Sequence, residues 1–252
     1  MKTLNKDFYS CCDINYNDYV FETADILKIP NFFRSIQKSK KFLTELNIWE
    51  TSIYDNTSKP GSEGILPPWT CRFLLERYFL KFDINCDYNS LSACVNHFYN
   101  DKKVKKSISS STLFPHVDSY PIIENEKVLL NYIVLINLND FPITTNFWSF
   151  ENKNTIETKE ENSEYEKFLS KYSKIDWNKE KIETPEELVI TNSITYDTNQ
   201  AIIYPANIFH SVKLETNHQK DNARISLRLA YMAQVKKLSL DINYSKLNTI
   251  TY

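Results

Sequence analysis

Two of the four histidines in this 252-residue chain stand where metal chemistry would need them. His116-Val117-Asp118 sets an imidazole and a carboxylate two residues apart. In an extended segment, residues i and i+2 project to one face, so both side chains can reach a single ion. Far downstream, Tyr204-Pro205-Ala206-Asn207-Ile208-Phe209-His210 brings a second imidazole to the start of another apolar run. Two imidazoles and one carboxylate on one face of an octahedral ion leave three positions open, the donor set of oxygen-activating iron(II). His116, Asp118 and His210 are therefore the candidate metal ligands and catalytic centre.

The strand beyond supplies a complement. Arg224-Ile225-Ser226-Leu227-Arg228 alternates so that Arg224, Ser226 and Arg228 share one face. A buried guanidinium is costly unless an anion meets it, and its fork matches a carboxylate bidentately. Arg224, with the Ser226 hydroxyl as an added donor, fits the distal carboxylate of 2-oxoglutarate, whose keto acid end can chelate the iron. Arg228 fits either an acidic part of the substrate or a salt bridge at the rim.

These side chains must be carried by strands. From about Leu91 onward the chain reads as short runs rich in Val, Ile, Tyr, Phe and Thr, separated by turn formers. Strands are expected over Ala93–Tyr99, Ser107–Phe114, Val128–Leu138, Thr145–Phe150, Gln200–Tyr204, His210–Leu214 and Ala223–Met232. Several short strands at this spacing predict a sandwich or jelly roll. On the run before Asp140, alternation turns Asn131, Ile133, Leu135 and Asn137 inward. Asn131 could then touch substrate, while Tyr120 and Trp148 could line the mouth of the site.

Residues 1–90 read as mixed support: a short strand at Ala24–Pro30, helices over Phe32–Leu46 and Trp69–Phe82, and a loop marked by Pro60-Gly61 and Pro67-Pro68. Glu151–Leu188 is highly polar, with Tyr165, Phe168, Leu169 and Tyr172 at helical spacing. It reads as an insertion carrying one helix, either a solvated excursion or a lid. The whole is expected to be one domain, 1–252, with a core over 91–232, the insertion at 151–188 and an extension at 233–252.

The ordered set of residues resembles the iron(II)/2-oxoglutarate-dependent dioxygenase superfamily, whose pattern is H-x-D…H…R-x-S on a double-stranded β-helix. The likeness is nearest to the prolyl-hydroxylase-like branch. It rests on the Leu-Asn step of Leu135-Ile136-Asn137-Leu138-Asn139, the Thr-bearing Thr144-Thr145-Asn146-Phe147-Trp148, the Tyr204-to-His210 approach, and Arg224 fourteen residues beyond His210. It covers roughly Leu91 to Met232. The chain departs from the family at Phe141-Pro142-Ile143, where a glycine-rich turn is usual, and in the length of its insertion.

The resemblance implies a mainly β jelly roll, cupin-like, with N-terminal helices buttressing one sheet. It implies Fe(II) as metal and 2-oxoglutarate as cosubstrate, and it makes Asn137 a second cosubstrate contact. Hydroxylation of a small molecule, an amino acid or a peptidyl side chain would consume O2 and release succinate and CO2. Asp118 favours oxygenation over halogenation, since related halogenases carry a small residue there. The alternative is a non-catalytic metal-binding or sensing jelly roll of cupin type.

Composition restricts the rest. A formal net charge of −2 and a pI near 6.1 give no electrostatic case for nucleic acid. Lys102-Lys103-Val104-Lys105-Lys106 reads as a solvated hairpin tip. There is no apolar run fit to span a bilayer and no leader-like start, so a cytoplasmic address without membrane partners is expected. Cys11, Cys12, Cys71, Cys86 and Cys94 show no paired spacing and read as free thiols. His97 and His218 are expected outside the site, His218 in a polar turn. Oligomeric state is left open.

Overall fold

The computed structural model describes residues 4–15, 20–23, 26–46, 49–50, 61–81, 84–98, 115–124, 127–171, 185–212 and 224–235. Within them lie helices α1 (Leu4–Cys11), α2 (Ile36–Thr44), α3 (Pro68–Lys81) and α4 (Lys159–Ser170). The strands are β1 (Val20–Thr23), β2 (Ile26–Ile29), β3 (Trp49–Glu50), β4 (Gly61–Leu66), β5 (Cys86–Phe98) and β6 (Ile122–Glu124). They continue with β7 (Lys127–Asn137), β8 (Ile143–Phe150), β9 (Leu188–Tyr196), β10 (Ala201–Pro205), β11 (His210–Val212) and β12 (Arg224–Val235).

The strands form two antiparallel sheets. The larger runs β1-β2-β10-β7-β12-β5-β4-β3, with β6 beside the first half of β7. The smaller runs β11-β8-β9, and an isolated bridge from His116 to His210 extends it by one more segment. After β7 the chain passes to β8 and β9 in the small sheet, returns to β10, crosses to β11 and comes back to β12. Antiparallel strands wound alternately between two facing sheets define a jelly roll, the double-stranded β-helix expected from the sequence.

Strand alternation divides the core. Ile133, Leu135, Ile202 and Tyr204 point between the sheets and meet Ile143, Phe147, Ile194 and Tyr196 of the small sheet. Val134, Ile136, Leu227, Leu229 and Val95 point to the other side, where α1, α2 and α3 cover them with Phe8, Leu43, Leu74 and Phe79. Each such side chain stabilises the fold by about 1.5–3 kcal/mol through burial. Asparagine takes left-handed positions in the turns, at Asn31, Asn152 and Asn199 (φ 50°, 68° and 66°), a role its short polar side chain tolerates.

Residues before 90 do more than buttress. They add β1 and β2 to one edge of the large sheet and β4 and β3 to the other. The expected loop between Pro60 and Pro68 thus contains β4, paired with β5. Glycine at 61 and 64 hid a strand within a turn-rich composition. The expected strand Ser107–Phe114, the lysine-rich tip and His218 lie outside the described residues. No helix among the described residues is long and apolar enough to cross a membrane.

Candidate metal centre

The centre is assembled by backbone pairing. The His116 N–H donates to the His210 carbonyl and the His210 N–H donates to the His116 carbonyl, each at 2.9 Å. Residues paired this way in antiparallel chains carry their side chains on the same face. Two residues on, Asp118 N–H and Ser119 N–H both donate to Ala206 O (2.8 and 3.2 Å), while Ala206 N–H donates to Asn131 O of β7 (2.8 Å). The loop bearing Asp118 is therefore tied to both sheets.

The ligand atoms of His116, Asp118 and His210 lie within 4.8 Å of one another. His210 Nε2 stands 3.5 Å from Asp118 Oδ2, and His116 Nε2 stands 3.9 Å from Asp118 Oδ1. His210 Nδ1 is 2.9 Å from the Ile208 carbonyl. A carbonyl only accepts, so Nδ1 carries the proton in this bond, and Nε2 is the atom turned toward the carboxylate, the one a metal would take. The side chains of His210 and Asp118 are 5% and 18% exposed. Two imidazole nitrogens and a carboxylate converging in this way fit iron(II).

Deeper in the barrel, Arg224 is 2% exposed and its Nη2 donates to the Tyr196 hydroxyl at 3.1 Å. That hydroxyl lies 3.3 Å from Thr145 Oγ1. Ser226, also 2% exposed, follows on the same face. Arg224, Tyr196, Thr145 and Ser226 make a buried donor cluster suited to a carboxylate. Tyr196 escaped the sequence reading because β9 was not recognised as a strand. The polar Thr191-Asn192-Ser193 step breaks its apolar pattern.

Arg228 reaches the centre itself, with Nη2 3.4 Å from Asp118 Oδ2. Burial disfavours its charge, but Asp118 together with Cys94 and Tyr204 more than offsets that and holds the guanidinium above its ordinary pKa. Tyr204 packs its ring 4.8 Å from that of His210. Burial first, and the Asp118 charge second, push its phenol well up, so it stays neutral.

Other expectations change. The Asn137 amide donates to Phe141 O and Tyr196 O and accepts from both Asn139 N–H and Asn139 Nδ2, at 2.8–3.1 Å. Its capacity is taken up in holding the β7–β8 turn, which leaves no donor for the cosubstrate contact that the resemblance implied. Trp148 points away from the mouth: it is buried with Tyr165, Phe168 and Phe209, and its Nε1 donates to Ser211 Oγ at 2.9 Å. Tyr120 packs against that same cluster. Asn131 is on the inner wall as expected, where Nδ2 donates to Ser119 Oγ at 3.0 Å. His97 lies on β5 opposite Ile225.

The insertion is a buttress in its described part. Thr158 caps α4 by accepting from Glu161 N–H, and Glu161 reaches back to Glu157 N–H, a form of capping box. The helix buries Tyr165 and Phe168 against Phe209 and Phe150, with Val117 packed alongside. Val117 and Phe209 each neighbour a ligand in sequence, and alternation turns them away from the metal side. Tyr165 also donates to Pro115 O, one residue before His116. Thus α4 grips both ligand-bearing segments from behind instead of covering their mouth.

The fold and this cluster define a double-stranded β-helix with a candidate facial metal site. No family model matches the chain, and no curated protein matches it by sequence. Among solved structures, HygX from Streptomyces hygroscopicus with nickel, 2-oxoglutarate and hygromycin B bound is similar, at 12% identity and a TM-score of 0.45, over 84% of this chain and 83% of that one. The non-heme alpha-ketoglutarate-dependent epimerase SnoN of nogalamycin biosynthesis is 12% identical at a TM-score of 0.46, over 91% and 82% of the two chains. The carbocyclase SnoK of that pathway is 11% identical at 0.43, over 97% and 88%. None of these assigns a reaction to this chain.

Proposed function

We propose that the chain is a single-domain iron(II)- and 2-oxoglutarate-dependent oxygenase that hydroxylates a small molecule, an amino acid or a peptidyl side chain. The observation that carries this reading is the reciprocal His116–His210 pair, with Asp118 on its face and the Arg224–Tyr196 pair buried farther along the same interior. A metal holder alone has no need of a buried guanidinium backed by two hydroxyls; a cosubstrate with a far carboxylate has. The Tyr204-to-His210 approach and the Thr145 strand support the prolyl-hydroxylase-like branch.

In this reading His116 Nε2, His210 Nε2 and one Asp118 oxygen hold iron(II), which when bound supplies oxygen activation coupled to the conversion of 2-oxoglutarate to succinate and CO2. Arg224 binds the distal carboxylate bidentately, with Ser226, Tyr196 and Thr145 adding hydroxyl donors. Ile133, Leu135, Phe147 and Tyr204 exclude water around the reacting groups. Asn131, beside the Asp118 loop, faces the substrate.

Incubation with Fe(II), 2-oxoglutarate and O2 should form succinate above a protein-free control. Tight metal binding with no succinate and no 2-oxoglutarate affinity would instead support the cupin-type metal binder.

A further inference from the structure

Arg228 joins the two sheets at the metal centre. It lies on β12, between Leu135 of β7 and Cys94 of β5, whereas Asp118 follows the segment that extends the small sheet. The 3.4 Å contact between Arg228 Nη2 and Asp118 Oδ2 spans the barrel. Strand alternation places Arg228 on the inner face with Arg224 and Ser226, so this direction is fixed by the same register that buries the carboxylate clamp. At 29% and 18% exposure the two side chains are partly shielded, so the attraction between their charges is stronger than in bulk water.

We propose that Arg228 is a positioning residue for the metal centre, holding one Asp118 oxygen so that the carboxylate offers the metal only the other. This rests on the reading of His116, Asp118 and His210 as a metal site. The consequence is a matter of counting positions. A carboxylate binding through both oxygens would occupy two of six places and leave two open beside the imidazoles. A chelating keto acid fills both, and none remains for O2. Holding the carboxylate to one oxygen keeps three open. Of the two roles expected for Arg228, an acidic part of the substrate or a salt bridge, the contact with Asp118 favours the salt bridge, here made to a candidate ligand.

The test uses the full chain and Co(II), whose visible bands report coordination, without cosubstrate. Wild-type protein should bind Co(II), and Arg228→Gln should bind it about 10- to 100-fold more weakly, as loss of a group supporting a ligand does, with altered bands. Arg228→Lys should recover part of the affinity. In an Asp118→Asn background, Arg228→Gln should cause no further loss. Should Arg228→Gln fail to fold, Arg228→Lys decides, and weaker binding than wild type is expected. Wild-type affinity and bands in the Arg228 variants would overturn the proposal. A wild-type chain that takes up no Co(II) would overturn the metal reading itself.

Discussion

His116 and His210 exchange both backbone hydrogen bonds at 2.9 Å, so two candidate ligands separated by 94 positions are locked face to face before any ion binds. Metal should therefore bind a site formed by the native fold and absent from the unfolded chain. At a free ion concentration 100 times the dissociation constant, stability should rise by about 2.7 kcal/mol. Thermal melts with Co(II) and with EDTA check this. Asp118→Ala should lose most of the rise.

Tyr165 connects the insertion to the ligand segment through Pro115 O. Burial pushes its phenol up, so it remains a donor at ordinary pH. Tyr165→Phe should cost about 1–3 kcal/mol by leaving a buried carbonyl short of a partner. Denaturant unfolding gives the stability, and a Co(II) titration should show weakened affinity, because the carbonyl belongs to the residue before His116. A variant that melts early yet binds metal normally would make the insertion a stabilising element only.

The buried donor cluster predicts graded effects on 2-oxoglutarate. Arg224→Ala should raise its Kd far more than Tyr196→Phe, since the first removes the charge and the second one neutral hydrogen bond of about 1 kcal/mol. Isothermal titration with metal present measures both. Equal affinities in Arg224→Ala and wild type would place the anion clamp elsewhere.

Cys71 predicts an alkaline limit to stability. Burial pushes its thiol from 9.0 to about 12. Above pH 9 the unfolded chain sheds a proton that the native chain keeps, so stability falls as pH rises toward 12, by about 1.4 kcal/mol per pH unit from this group. Melts at pH 8 and pH 10 should differ, and Cys71→Ser should remove only its own share of the difference, since burial pushes up the Cys12 and Cys86 thiols as well.

The sequence disclosed what local pattern controls. Alternation in Arg224 to Arg228 and the i, i+2 spacing of His116 and Asp118 have geometric meaning without any partner, and both faces came out as read. What stayed hidden depends on register between distant strands. Tyr196 meets Arg224 only because β9 folds back on β8, with Tyr196 opposite Ile143. Trp148 turns outward because the same strand that sends Phe147 inward must send its neighbour to the other face. Asn137 sits on the expected face, but its amide goes to the turn because Phe141 O and Tyr196 O need donors there.

In the proposed function His116, Asp118 and His210 hold iron(II) while Arg224 holds 2-oxoglutarate on it. Visible absorption of the anaerobic protein with Fe(II) and 2-oxoglutarate tests this most directly. The wild-type chain should show the weak charge-transfer band that the resemblance implies, absent from Asp118→Ala and needing more 2-oxoglutarate in Arg224→Ala. A wild-type chain with no band at saturating Fe(II) and 2-oxoglutarate, and no succinate on admitting air, would contradict it.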